Sequence, residues 1–215
     1  MDVVYHGCDP AFRPLPPQDV KEFRRRHRLP RRFVLSVGTL EPRKNHVRLV
    51  ESFARLAADD PDLYLVLAGG KGWLYGDLFA KVETLGLGER VLFPGYVPNG
   101  DLPLWYNAAT AFAYPSLYEG FGMPVLEAQA CGTPVLTANV SSLPEAAGDG
   151  ALLVNPLDVE EIAAGLHRLL TDAALREELR QRGLAHARRF SWARTAQETA
   201  QVYRRAAGDD EGVKA

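Results

Sequence analysis

The sequence predicts a doubly wound α/β domain, a parallel sheet of about six strands flanked by helices. Short apolar runs alternate with amphipathic segments along nearly all of the 215 residues. The runs are apolar at consecutive positions rather than every second one, as strands covered on both faces are. The length suits one well-buried core better than two.

Residues 1–17 contain Gly7, Pro10, Pro14, Pro16 and Pro17 and read as an extended linker. Residues 18–207 form the expected domain. Residues 208–215, with the polar run Gly208-Asp209-Asp210-Glu211-Gly212, read as a frayed tail. A short basic helix covers Asp19 to His27, and its arginines suit a solvated face. The first strand, Phe33 to Gly38, precedes a helix with Val47, Val50, Phe53, Ala54 and Ala57 on one side. Leu63 to Ala68 leads to a helix around Leu78, Val82 and Leu85, and Val91 to Phe93 to one around Leu102, Trp105 and Tyr106. Ala111 to Tyr114 leads to a helix from Pro124 to Ala130, and Pro134 to Thr137 to a short one at Pro144 to Ala146. Ala151 to Val154 precedes a helix from Val159 to Leu170. Two further helices, Ala173 to Arg188 and Trp192 to Ala206, carry Arg and Glu at spacings for i,i+4 pairs and are expected to cover the domain.

A net charge of -2 and 24% charged residues argue against a nucleic-acid partner, which calls for a strongly basic face. Any anion must be met by a local cluster. Cys8 and Cys131 are the only cysteines and lack metal-ligand spacing. A reducing compartment follows, and no apolar run approaches the roughly 20 residues of a membrane span. The start of the chain has no signal core, so a cytoplasmic setting is expected.

In a doubly wound sheet, ligands sit at the carboxyl ends of the strands. The loop after the first strand reads Gly38-Thr39-Leu40-Glu41-Pro42-Arg43-Lys44-Asn45, with Asn45 as expected N-cap of the next helix. Arg43 and Lys44 are therefore expected at a helix N-terminus, where the dipole opposes them unless an anion arrives; two solvated cations are the alternative. The next loop, Ala68 to Trp73, holds Gly69, Gly70 and Gly72, which permit close approach of a ligand or simply a tight turn. It matches neither the P-loop nor the dinucleotide fingerprint. In Glu119-Gly120-Phe121-Gly122-Met123-Pro124-Val125-Leu126-Glu127, Pro124 fits the first helical position, which leaves backbone N–H groups aimed ahead of the helix. Glu119 and Glu127 frame these donors. Carboxylates accept from hydroxyls, so a sugar and a ribose suit them, with solvated acids as the alternative.

The stretches V-G-T-L-E-P-R-K-N, E-G-F-G-M-P-V-L-E-A and A-C-G-T-P-V resemble the donor-binding domain of retaining family-4 glycosyltransferases of the two-Rossmann-domain (GT-B) type. The series G-Y-V at Gly95, Y-P-S at Tyr114 and L-P-E at Leu143 extends the resemblance over most of the chain. The Thr-Leu-Glu-Pro version of the first loop is similar to bacterial mannosyltransferase-like members that build surface polysaccharides. The resemblance implies a single Rossmann-like domain, the C-terminal half of a GT-B fold, that binds a nucleoside-diphosphate sugar with no cofactor and no metal. GDP-mannose is favoured over UDP- or ADP-sugars. Arg43 and Lys44 would neutralise the diphosphate, Glu119 would hold donor-sugar hydroxyls, and these three would carry catalysis. Glu127 would bind the ribose, and the backbone around Tyr96 and Val97 the base. Gly38, Thr39, Gly70, Gly120, Phe121, Gly122, Met123 and Pro124 would line the donor. Many relatives have an arginine where Thr39 stands, which shifts the diphosphate clamp towards Arg43.

Such enzymes begin with an acceptor-binding domain, and Val4-Tyr5-His6-Gly7-Cys8-Asp9-Pro10 resembles the connector that follows it. The chain is thus expected to be a donor-binding half whose partner is that missing domain, in an enzyme peripheral to the inner membrane face. The full enzyme would transfer its sugar to an acceptor hydroxyl with retention of configuration. A non-catalytic nucleotide-sugar-binding module and a sugar-nucleotide epimerase-like domain are the alternatives.

Overall fold

The computed structural model describes residues 2–207. The expected tail, 208–215, lies outside the described residues. The strands are β1 (Arg32–Val37), β2 (Leu63–Ala68), β3 (Val91–Gly95), β4 (Ala111–Tyr114), β5 (Val135–Ala138) and β6 (Ala151–Val154). The helices are α1 (Pro17–Arg26), α2 (His46–Ala57), α3 (Gly76–Thr84), α4 (Leu102–Ala108), α5 (Met123–Ala130), α6 (Leu143–Ala147), α7 (Val159–Thr171), α8 (Ala173–Ala187) and α9 (Trp192–Ala207). A single 3-10 turn, Pro42–Lys44, precedes α2.

All six strands are parallel, in the order β3-β2-β1-β4-β5-β6. The order reverses between β1 and β4, where Val34 pairs with Ala111 and Leu35 with Phe112. Connections from β1 run outward to β2 and β3 on one side, and from β4 to β5 and β6 on the other. The loops after β1 and β4 therefore diverge and open a crevice at their carboxyl ends.

Continuous apolar runs have their explanation in the two faces of this sheet. Val34, Leu65, Leu67, Ala113 and Leu136 pack with Leu49, Val50, Phe53, Leu78, Ile162 and Leu166 of α2, α3 and α7. Their neighbours Phe33, Leu35, Val66, Phe112 and Val135 point the other way, to Phe23, Trp105, Tyr106, Val125 and Leu143 of α1, α4, α5 and α6. Each buried Val, Leu, Ile or Phe among these contributes about 1.5–3 kcal/mol, so neither face tolerates a polar alternation.

Residues 2–16 form no regular element but are tied down. Thr195 Oγ1 donates to Tyr5 O at 2.7 Å, Cys8 N to Phe190 O at 3.3 Å, and Asn107 Nδ2 to Arg13 O at 2.9 Å. The covering role expected of the last two helices holds for α8, which packs on α5. It fails for α9, which buries no residue and lies along the N-terminal segment instead. Among the described residues, no helix is long and apolar enough to cross a membrane.

Candidate functional site

The site is built where the sheet order reverses. The loop after β1 carries Glu41, Arg43 and Lys44; the loop after β4 carries Ser116, Tyr118 and Glu119. Backbone and side chain of Arg43 tie the loops together: Leu117 N donates to Arg43 O at 2.8 Å, Ser116 Oγ to Arg43 O at 3.0 Å, and Arg43 Nη1 to Tyr118 O at 2.7 Å. Asn45 sits at the N-cap position of α2 but does not cap it as expected. Its backbone is left-handed, at φ 61°, and its Nδ2 spans to Pro115 O at 2.9 Å and Pro156 O at 2.6 Å. The two carbonyls orient the amide, and its Oδ1, the atom a cap would use, accepts from Arg48 Nη1 at 3.1 Å instead of from a helix N–H, so Asn45 fastens the crevice rather than the helix.

Glu119 is the hub. Its Oε1 accepts from Ser116 Oγ at 2.7 Å, Lys44 Nζ at 2.7 Å and Tyr114 OH at 2.8 Å. Its Oε2 faces Arg43 Nη1 at 2.8 Å. Arg43 Nη2 donates to Glu41 Oε1 at 2.7 Å, and the other oxygen of Glu41 accepts from Trp73 Nε1 at 3.1 Å. The expectation that Arg43 and Lys44 stand uncompensated at a helix end is corrected: Glu41 and Glu119 balance both charges. Burial pushes the Glu119 carboxyl up, but the donors Lys44, Ser116 and Arg43 outweigh it, and the group ends below the ordinary carboxylate range. Burial and the adjacent Glu119 carboxylate drive Tyr114 far above the ordinary phenol range, so it remains a donor to Glu119.

The donors expected ahead of α5 are present. Its first residue is Met123, with Pro124 second, one position later than the sequence suggests. Gly122 takes φ 107°, and a Cβ there would stand 2.8 Å from Leu143 Cδ2, so the position requires glycine. The N–H groups of Gly120, Phe121, Gly122 and Met123 make no hydrogen bond among the described residues. Ser142 Oγ donates to Glu119 O and Phe121 O, both at 2.9 Å, and holds the loop in shape. The Phe121 ring turns away, packing against Tyr5, His6 and Phe190.

Glu127 is not part of the Glu119 cluster. Its Oε2 accepts from Tyr106 OH at 2.9 Å, and burial raises its pKa, an effect that the Tyr106 hydrogen bond only partly offsets. Val97 is buried while Tyr96 beside it is 74% exposed. In the glycine loop, close approach is made to the chain itself: a Cβ on Gly69 would lie 1.9 Å from Gly38 O, whereas Gly70 faces open space. Thr39 is exposed, and its methyl group lies against Gly72.

Glu41, Tyr114, Ser116 and Ser142 belong to the site, though none stood out in the sequence as a ligand contact. A polar residue ending an apolar strand, as Tyr114 does, was the available signal. Among the described residues, no group of three or more His, Cys, Asp or Glu side chains is placed to hold a metal ion.

Residues 18–186 match the family model described as "Glycosyl transferases group 1". The O-antigen chain mannosyltransferase B of Escherichia coli is 43% identical over 173 residues, 80% of this chain and 45% of that protein. The chain thus spans less than half the length of that relative. The Anabaena protein HepE, solved with UDP and glucose, superposes with a TM-score of 0.84 at 26% identity, over 94% of this chain and 56% of that one. The C-terminal domain of a glycosyl transferase group 1 family protein from Francisella tularensis matches with a TM-score of 0.74 at 25% identity, over 85% of this chain and 97% of that domain.

Proposed function

The chain belongs to the glycosyl transferases group 1 family, and from that premise we propose that its crevice binds a nucleoside-diphosphate sugar. Together with an acceptor-binding domain, it would transfer that sugar to an acceptor hydroxyl with retention of configuration. One observation carries the reading: Arg43 and Lys44 converge with Glu119 at the reversal of strand order, beside the free N–H groups ahead of α5. Cations and helix-end donors together suit a diphosphate. HepE, solved with UDP and glucose, supports a nucleotide and a sugar in this fold. The likeness to an O-antigen chain mannosyltransferase supports a mannose-bearing donor, which we read as GDP-mannose, and a glycan product.

In this scheme the bond between the anomeric carbon and the diphosphate oxygen breaks while the acceptor oxygen bonds to that carbon on the same face. The acceptor proton passes to the departing phosphate oxygen. Arg43, Lys44 and the α5 N–H groups stabilise the charge that grows there, a contribution of about 3 kcal/mol per donor. Glu119 holds sugar hydroxyls, Glu127 the ribose, and the backbone at Tyr96 and Val97 the base. Gly38, Thr39 and Gly70 line the open side. The two cysteines, both buried and unpaired, fit a reducing cytoplasmic setting for the reaction.

Calorimetry with GDP, UDP and the corresponding nucleosides tests the reading. Arg43→Ala is expected to weaken the diphosphates roughly 10- to 100-fold and leave the nucleosides unchanged. Equal losses for both would remove the diphosphate assignment.

A further inference from the structure

The two oxygens of Glu119 are not equivalent. Oε1 already accepts from Lys44, Tyr114 and Ser116, which exhausts its room for donors. Oε2 has Arg43 alone. Arg43 is the more accessible cation, its side chain 38% exposed against 10% for Lys44, and it is shared between two carboxylates. Arg43 and Lys44 are both neutralised among the described residues, by Glu41 and Glu119. A diphosphate must therefore take a carboxylate's place, and the bond with the fewest supports is Arg43 to Glu119 Oε2.

We propose that donor binding works by exchange at Arg43: the diphosphate replaces Glu119 Oε2 as partner of the guanidinium, and the released Oε2 accepts a hydroxyl of the donor sugar. Glu41, anchored by Trp73, keeps Nη2 of Arg43 and acts as the positioning residue about which the exchange turns. Phosphate and sugar recognition are thereby coupled through one side chain. An arriving nucleoside diphosphate without sugar breaks the Arg43–Glu119 pair and leaves Oε2 without a partner. The full donor supplies one, so the sugar adds affinity beyond its own contacts. The inference rests on the donor-site reading above and goes beyond it in making Glu119 a competitor of the diphosphate as well as a sugar ligand.

Titration of the full chain with GDP and UDP, and with GDP-mannose and UDP-glucose, tests it. Glu119→Gln is expected to bind the sugar-free diphosphate several-fold more tightly than the unaltered chain and to lose the extra affinity contributed by the sugar. Glu41→Gln is expected to tighten both ligands by the same factor and keep the sugar increment. In an Arg43→Ala background neither substitution should tighten binding, because the contested cation is gone. A Glu119 that merely contacts sugar would leave diphosphate affinity unchanged, and that result, or tightening that persists without Arg43, overturns the exchange while leaving the donor site intact. If Glu119→Gln does not fold, Glu119→Asp decides: its shorter carboxylate loosens the pair with Arg43, and a diphosphate affinity that does not rise refutes the exchange. Absence of any diphosphate binding by the unaltered chain would overturn both readings together.

Discussion

At the scale of single residues, the site is a set of compensated charges, and each carboxylate has a distinct environment. Glu127 is held by Tyr106, away from the cations, and Glu127→Ala is expected to weaken a ribonucleotide about tenfold while its dideoxy analogue is almost unaffected, since only ribose hydroxyls donate to that carboxylate. Equal response of the two ligands in a binding titration would remove Glu127 from the ribose site. His46 opens α2 behind the cations, buried, with Nε2 3.5 Å from Ser36 Oγ and Nδ1 without a partner among the described residues. Burial, aided by Lys44, pushes its pKa down to about 4. The folded value lies below the unfolded one, so the unfolded chain takes up the proton first as the pH drops. The stability difference is intact above the unfolded value of 6.5 and is lost as the pH falls towards 4, by up to about 3 kcal/mol. Urea unfolding at pH 7 and pH 5 should show a steeper loss in the unaltered chain than in His46→Leu; parallel losses would refute this.

Individual elements matter here mainly through their ends. The first turn of α5 points its N–H groups into the crevice only because Gly122 takes a left-handed conformation against Leu143. Gly122→Ala is expected to cost about 1–3 kcal/mol in urea unfolding and to reduce diphosphate affinity as the donors swing away. Adding Leu143→Ala should relieve the steric part and leave the conformational part. An undiminished stability in Gly122→Ala would show that the turn adapts freely. The strands were legible because consecutive apolar residues reflect burial from both sides, and the helices because their apolar faces repeat at 3.6 residues. Asn45 was misread for the opposite reason. A cap is a local reading, and the side chain is claimed by the carbonyls of Pro115 and Pro156, far along the chain.

For the whole molecule, the isolated chain is expected to bind nucleotide and transfer no sugar. Holding an acceptor hydroxyl against the anomeric carbon contributes some 7–11 kcal/mol, and nothing in the described fold is assigned that task. Incubation with GDP-mannose and mannose oligosaccharides, followed by assay of free GDP and product, measures this directly; efficient transfer would show that the chain suffices. By itself the sequence determined the α/β class, six strands and the presence of Arg43, Lys44 and Glu119 on loops and of Glu127 about one turn into a helix, because periodicity and local spacing encode burial and helix limits. Only the tertiary structure decided that β1 and β4 are neighbours and that Glu119, not solvent, answers the two cations. It also placed Glu127 with Tyr106 and left α9 uncovered. Those outcomes depend on contacts between residues from 21 to 190 positions apart, and no local pattern records them.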